Sequence, residues 1–198
     1  MSLLVWLPLT KDTMNHGVSS AIIKDNGSTE EPSGKLGSCR YLNGKTLTVT
    51  NFTDLQAANN FSACCWIKFT TLPSSSSAYC ICLNGSTSSD YKFILGVYST
   101  DGVTASFRLN GGNSTGTLAL NTWYHLAICV SDTTGYMYID GELVKTAKSL
   151  SSTNTATNLV IGGRSNNTSN TSFKGVGGPA CYNDVRIYDH CLAPREVK

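Results

Sequence analysis

Few residues in this chain are placed to do covalent chemistry. It has only four glutamates, Glu30, Glu31, Glu142 and Glu196. The common route of glycoside hydrolysis needs two carboxyl groups within several ångströms of each other, one as the acid and one as nucleophile or base. Glu30-Glu31 falls in a polar turn, Glu142 at a hairpin tip and Glu196 in a terminal turn, so none stands mid-strand beside an aspartate. The histidines are His16, His125 and His190, and none has a Gly-x-Ser-x-Gly or similar nucleophile nearby. A reactive cysteine needs an electropositive, partly exposed setting, whereas the eight cysteines lie in or near apolar, strand-like runs. The expectation is a chain that is not an enzyme.

Binding asks for other groups. A carbohydrate or receptor surface uses aromatic rings to stack on sugar faces, with Asn, Asp and Arg for the hydroxyls, and loops on a rigid β scaffold are where such groups collect. The loop residues that answer this description are Tyr91, Arg108, Asn110, Asn113, Arg164 and Asn166. Cys80-Ile81-Cys82 puts two thiols on one face of a strand, which is not the paired knuckle spacing of a zinc site. Free cysteine behaves as a small hydrophobe, so core packing is the expected role of the thiols.

The elements that must position these groups are strands. Trp123–Ser131 alternates, with Tyr124, Leu126, Ile128 and Val130 on one face and Trp123, His125, Ala127 and Cys129 on the other. Both faces are nearly uncharged, which predicts an inner strand covered on two sides. Asp140-Gly141 suits a type I′ hairpin, whose two central residues both need positive φ, and a third strand follows at 142–146. Asn43-Gly44 predicts a similar hairpin between 37–42 and 46–50. Strands are also predicted at 3–9 and 18–23, and a long buried one at 61–70. In the last, Cys64 and Trp66 share one face and Cys65, Ile67 and Phe69 the other, with Trp66 expected as a core anchor. Residues 54–60 suit one helical turn. The final strand, 182–188, turns Val185 and Ile187 inward. Pro194 opens what reads as the first turn of a C-terminal helix at 194–198, since proline is favoured there.

Composition agrees. The apolar fraction is 40%, charged residues make up only 14%, and Ser, Thr, Asn and Gly fill the difference. About a dozen strands at roughly 8–12-residue spacing fit one all-β domain over residues 1–198. A net charge of +2 with scattered Lys and Arg gives no basic stripe and no support for nucleic-acid binding. No run approaches the ~18 apolar residues that span a bilayer, and the start lacks the basic and small-residue regions of a signal peptide.

The segments LVWLPL, FSACCWIKF, WYHLAICV, MYIDGELV, LVIGG and NDVRIYDHCLAPREV occur in this order. Together they resemble the concanavalin A-like lectin/glucanase superfamily, in its laminin-G-like, pentraxin-related branch. The resemblance implies an antiparallel jelly-roll sandwich of two sheets, with the last strand beside the first. The glucanases of the superfamily carry a Glu-x-Asp-x-x-Glu type of pattern, which this chain lacks. Many relatives hold a calcium near the sheet rim. Asn183 and Asp184 match the often-acidic pair before the final Val-Arg-Ile-Tyr, although Asn183 replaces a carboxylate, and calcium wants six to eight oxygens. Histidine is common in the family where His125 stands, and a core role with hydrogen bonds to its surroundings is expected.

The closing segment also resembles modules in tail and other virion proteins of phages of gut Firmicutes. That resemblance implies a virion module made in a host cytoplasm, where thiols stay reduced. Its partners would be host surface polysaccharide or other virion proteins, with self-association open and neither nucleic acid nor membrane involved. The alternative is a secreted bacterial carbohydrate-binding or adhesion domain at the cell surface.

Overall fold

Apolar residues at every second position, broken by Gly, Asn and Asp turns, make this chain a series of antiparallel strands. The computed structural model describes residues 1–72, 76–85, 90–110, 113–148, 155–165, 173–174 and 179–197. In chain order the strands are β1 (Leu3–Leu7), β2 (Lys24–Asp25), β3 (Thr29–Glu31), β4 (Cys39–Leu42), β5 (Leu47–Val49) and β6 (Asn60–Phe69). Then come β7 (Ser76–Asn84), β8 (Tyr91–Ser99), β9 (Thr104–Leu109), β10 (Asn113–Ala119), β11 (Trp123–Ser131) and β12 (Thr134–Ile139). The last are β13 (Glu142–Ala147), β14 (Asn158–Ile161), β15 (Arg164–Ser165), β16 (Phe173–Lys174) and β17 (Ala180–Tyr188).

Two large antiparallel sheets result, as expected. The first runs β13-β12-β11-β6-β17-β4-β3 with β1 also on β17, and the second runs β10-β9-β8-β7-β14-β5-β2. Strands β1 and β4 lie end to end along one edge of β17, paired to its C-terminal and N-terminal halves respectively. The first strand is therefore beside the last. The main core lies between the sheets, with Phe61, Ile67 and Tyr182 from the first sheet meeting Phe93, Phe107 and Leu159 from the second. A second apolar cluster lies on the outer face of the first sheet, where Leu192 and Val197 cover Cys64, Ala127, Cys129 and Tyr138. So both faces of β11 are covered at that end.

The Asp140-Gly141 hairpin forms as predicted, with φ of 52° and 83° at its two central residues. Asn43-Gly44 does not make a hairpin. Strand β4 belongs to the first sheet and β5 to the second, so the turn carries the chain across the sandwich. Only Gly44 has positive φ, whereas a type I′ turn needs it at both positions. Residues 18–23 form no strand. The chain from His16 to Ser19 lies along β1 through three backbone bonds, from the N–H groups of His16, Val18 and Ser19, and then leaves it. Residues 54–60 hold two separate turns, Gln56 N–H to the Thr53 carbonyl and Ala58 N–H to that of Leu55, and not a helix. The C-terminal turn is a short 3-10 helix, Pro194–Glu196.

Trp66 is not a core anchor. It is on the outer face of the first sheet, half-buried, while Cys65, Ile67 and Phe69 take the inner face. Cys80 and Cys82 do not share a face either. A bulge between Tyr79 and Ile81 turns both Cys80 and Ile81 into the core and leaves Cys82 opposite Val160 on the other side. All eight cysteines are free thiols, seven buried and Cys191 partly so.

Candidate binding pocket on the second sheet

The second sheet presents a hollow on its outer face because one strand position lacks a side chain. Gly96 on β8 sits between Tyr79 on β7 and Arg108 on β9 in a single cross-strand row. A Cβ at Gly96 would come within 2.6 Å of the Ala78 carbonyl oxygen, so glycine is required where β7 bulges toward β8. The missing side chain leaves a pocket of about 150 Å³, lined chiefly by Tyr79, Tyr91, Ile94, Arg108, Asn110 and Arg164.

Two guanidinium groups enter it. That of Arg108 lies 4.9 Å from the Tyr98 ring centroid, and its Nη1 donates to Ser77 Oγ at 2.8 Å. That of Arg164 lies 4.9 Å from the Tyr79 ring centroid. Such contacts hold the planar groups against the sheet at the cost of little desolvation. The Nε atoms of both arginines are buried and have no hydrogen-bond partner among the described residues. A buried donor without an acceptor is unfavourable, so a ligand oxygen that reached either atom would gain a hydrogen bond. No carboxylate is among the described lining residues, and the two guanidinium groups make the hollow electropositive. Asn110 fixes the rim, its Oδ1 accepting from Ile94 N–H at 2.8 Å and its own N–H donating to the Ile94 carbonyl at 3.0 Å.

Of the six loop residues picked out in the sequence, Tyr91, Arg108, Asn110 and Arg164 line this one pocket. Tyr91, Arg108 and Arg164 stand on strands and not in loops. Asn113 opens β10, and its side chain lies outside the described part of the structure. Asn166 lies outside the described residues. Sequence reading missed Tyr79, Ser77 and Gly96. A lone glycine inside an apolar strand is a sign of close backbone approach, and Gly96 in YKFILGVYS carries it.

Asn183 and Asp184 have other work. Asn183 is fully buried; its Oδ1 accepts from the N–H of Lys35 at 2.8 Å, and its Nδ2 donates to the carbonyls of Ser38, Pro8 and Leu9. Asp184 Oδ1 accepts from Trp6 Nε1 and from Arg186 Nε, both at 2.9 Å. An amide nitrogen and a guanidinium among the nearest partners do not fit an oxygen cage for calcium. No cluster of three or more His, Cys, Asp or Glu side chains suited to a metal occurs among the described residues.

Comparison with known proteins places this geometry. A laminin-G-type family model described as the concanavalin A-like lectin/glucanases superfamily matches residues 42–198. The chain belongs to that superfamily. None of the curated proteins matches the sequence. Among solved structures, the binding domain of botulinum neurotoxin serotype D superposes with a TM-score of 0.64 at 15% identity, covering 99% of this chain and 50% of that one. A Trypanosoma rangeli sialidase complexed with 2,3-difluorosialic acid gives a TM-score of 0.72 at 14% identity, covering 98% of this chain and 32% of that one. A mutant of the same sialidase displaying trans-sialidase activity scores 0.68 at 14% identity. The chain thus spans half the length of the toxin domain and about a third of the sialidase. At these identities the likeness shows the fold.

The sialidase match corrects the expectation that the chain is not an enzyme. That expectation rested in the first place on the absence of paired carboxylates, and sialidases depart from that route by using a tyrosine nucleophile. A fold shared with a sialidase carrying a covalent intermediate therefore gives no ground for excluding catalysis.

Proposed function

We propose that this chain is a lectin-like module that binds carbohydrate, and that the pocket between Tyr79, Tyr91, Arg108 and Arg164 takes an acidic sugar. The observation that carries this reading is the pair of guanidinium groups facing one hollow with no carboxylate among its described lining residues. Arginine meets a carboxylate through two parallel, charge-assisted hydrogen bonds, and the tyrosines offer ring faces to the sugar. The pocket volume of about 150 Å³ is below the roughly 300–1,000 Å³ that encloses a drug-sized ligand, so it suits one terminal ring of a glycan. Structures of the same fold include a neurotoxin binding domain in complex with SialylT and the sialidase holding 2,3-difluorosialic acid, which supports an acidic sugar.

The toxin and sialidase matches support the carbohydrate-binding or adhesion reading better than a module of a phage virion.

The test is calorimetric titration of the whole chain with sialyl-, glucuronyl- and galacturonyl-terminated oligosaccharides beside their neutral counterparts, with hydrolysis of each probe read in the same samples. Acidic sugars should bind, and Arg108→Gln or Arg164→Gln should each weaken binding by about tenfold, or ~1.4 kcal/mol. Equal binding of neutral and acidic sugars, or wild-type affinity in both variants, would show the reading to be wrong.

A further inference from the structure

We infer a second sugar site, for a neutral saccharide, on the outer face of the first sheet. It does not rest on the arginine pocket. Strands β6 and β11 pair so that Trp66 stands opposite His125, and Lys68 opposite Trp123. Both tryptophans therefore project from the same face as diagonal neighbours across the two strands, a spacing of about 7–8 Å. They are half-buried, at the end of the sheet away from the segment that covers Cys64 and Cys129. Two indoles left partly open on a sheet face are an informative exception in a fold with a complete core.

The indoles wall a pocket of about 360 Å³, with Lys35, His125 and Asp140 as its other lining residues. The His125 ring centroid is 5.3 Å from that of Trp66, with the planes inclined at 53°. Ammonium groups already use the indole faces, Lys35 Nζ at 4.4 Å from the Trp66 centroid and Lys68 Nζ at 5.3 Å from that of Trp123. Such exposed contacts are weak and yield to a better partner.

The polar groups are poised around the rings. Asp140 Oδ1 accepts from the His125 backbone N–H at 2.7 Å, and the Asp140 backbone N–H donates to the His125 carbonyl at 2.8 Å, which fixes the carboxylate beside the pocket. His125 is 96% buried by its 4% exposure, and its Nδ1 is fully buried without a partner among the described residues. A buried ring nitrogen left unpaired is unfavourable, so a ligand hydroxyl that displaced its cover would gain a hydrogen bond there.

These groups match a neutral pyranose. The apolar face of a sugar ring covers an indole, Lys35 and His125 offer donors to its hydroxyls, and Asp140 accepts from them. One cation and one carboxylate line this pocket, whereas the arginine pocket on the other sheet has two cations and no carboxylate. The two sites face away from each other across the sandwich, so one short glycan cannot fill both.

The experiment is a titration of the whole chain with cellotetraose, chitotriose, maltotetraose and a β-galactotetraose, followed by tryptophan fluorescence and calorimetry. At least one should give a saturable fluorescence change with a dissociation constant of ~1 mM or tighter. Trp123→Ala should weaken it by about tenfold or more, with Trp123→Phe retaining part of the affinity. Circular dichroism checks that each variant is folded, and Trp66→Ala repeats the test from the neighbouring strand. The inference is overturned if no probe saturates by ~10 mM, or if saturable binding survives both tryptophan-to-alanine changes.

Discussion

His125 sits on a strand whose neighbours leave its imidazole almost no solvent. Burial holds its pKa below the ordinary histidine value, and the carboxylates of Asp184 and Asp140 offset that only in part. The unfolded chain then binds a proton here that the folded chain refuses. Stability from this group is complete above the unfolded value of about 6.5 and is lost as pH falls from there through the lower folded value. Thermal melts should show the midpoint dropping across that window, and His125→Gln should flatten the drop. An unchanged midpoint from neutral to mildly acidic pH in the wild type would show that the imidazole is not buried neutral. Cys191 is the opposite case. The neighbouring Cys129 thiol donates to it and holds its pKa down to about 7, against the opposing effect of burial. As the one cysteine that is not fully buried, it should take up iodoacetamide first in a brief pulse at neutral pH. Peptide mapping that finds several cysteines labelled at similar rates would contradict this. The sequence shows which residues are thiols and that they lie in or near strands; it does not show that the segment after β17 folds back to bring Cys191 beside Cys129 on β11.

Among the elements, local turn chemistry was readable where one sheet closed on itself. Asp140-Gly141 has the residues a type I′ turn demands, and both strands it joins are neighbours. Asn43-Gly44 has the same residue pair and joins strands of different sheets, because β4 finds its partner in β17, far along the chain. Bulges were hidden for a similar reason. On β17 the pairing slips between Asn183 and Arg186, with Asp184 at a φ of 53°, so Tyr182 and Val185 both face the core three positions apart. Period-two reading places Val185 and Ile187 inward but cannot carry the pattern back to Tyr182. The slip falls where β1 leaves the edge and β4 enters it, and Asn183 closes that gap with its amide. Asn183→Asp should therefore destabilise, by about 2–4 kcal/mol, since it removes the donor that meets the Ser38, Pro8 and Leu9 carbonyls and buries a charge. Denaturant unfolding with calcium and with EDTA should give the same loss. Rescue by calcium would mean that the pair serves as a metal ligand after all.

For the whole molecule, the order of the strand motifs carried the two-sheet sandwich, because the final strand and its companions come in the same sequence as in the superfamily. The candidate pocket was half legible. Tyr91, Arg108, Asn110 and Arg164 were chosen as polar or aromatic groups outside the core, but their convergence on one hollow depends on β15 lying over β7, which no local pattern reveals. Trp66 was misjudged because bulk and alternation alone do not say which face of a strand points inward. Another property follows from the ends of the first sheet. Strands β1 and β17 are antiparallel, with Leu3 facing Tyr188 at the outer end of their ladder, and the N-terminal ammonium lies 4.0 Å from Asp189. Tension applied across residues 1 and 189 would load that ladder one rung at a time, as a zipper is opened, and not all rungs together. An attachment made through these two ends would peel at low force, while the two candidate pockets on the sheet faces stayed folded until the first strand had come away.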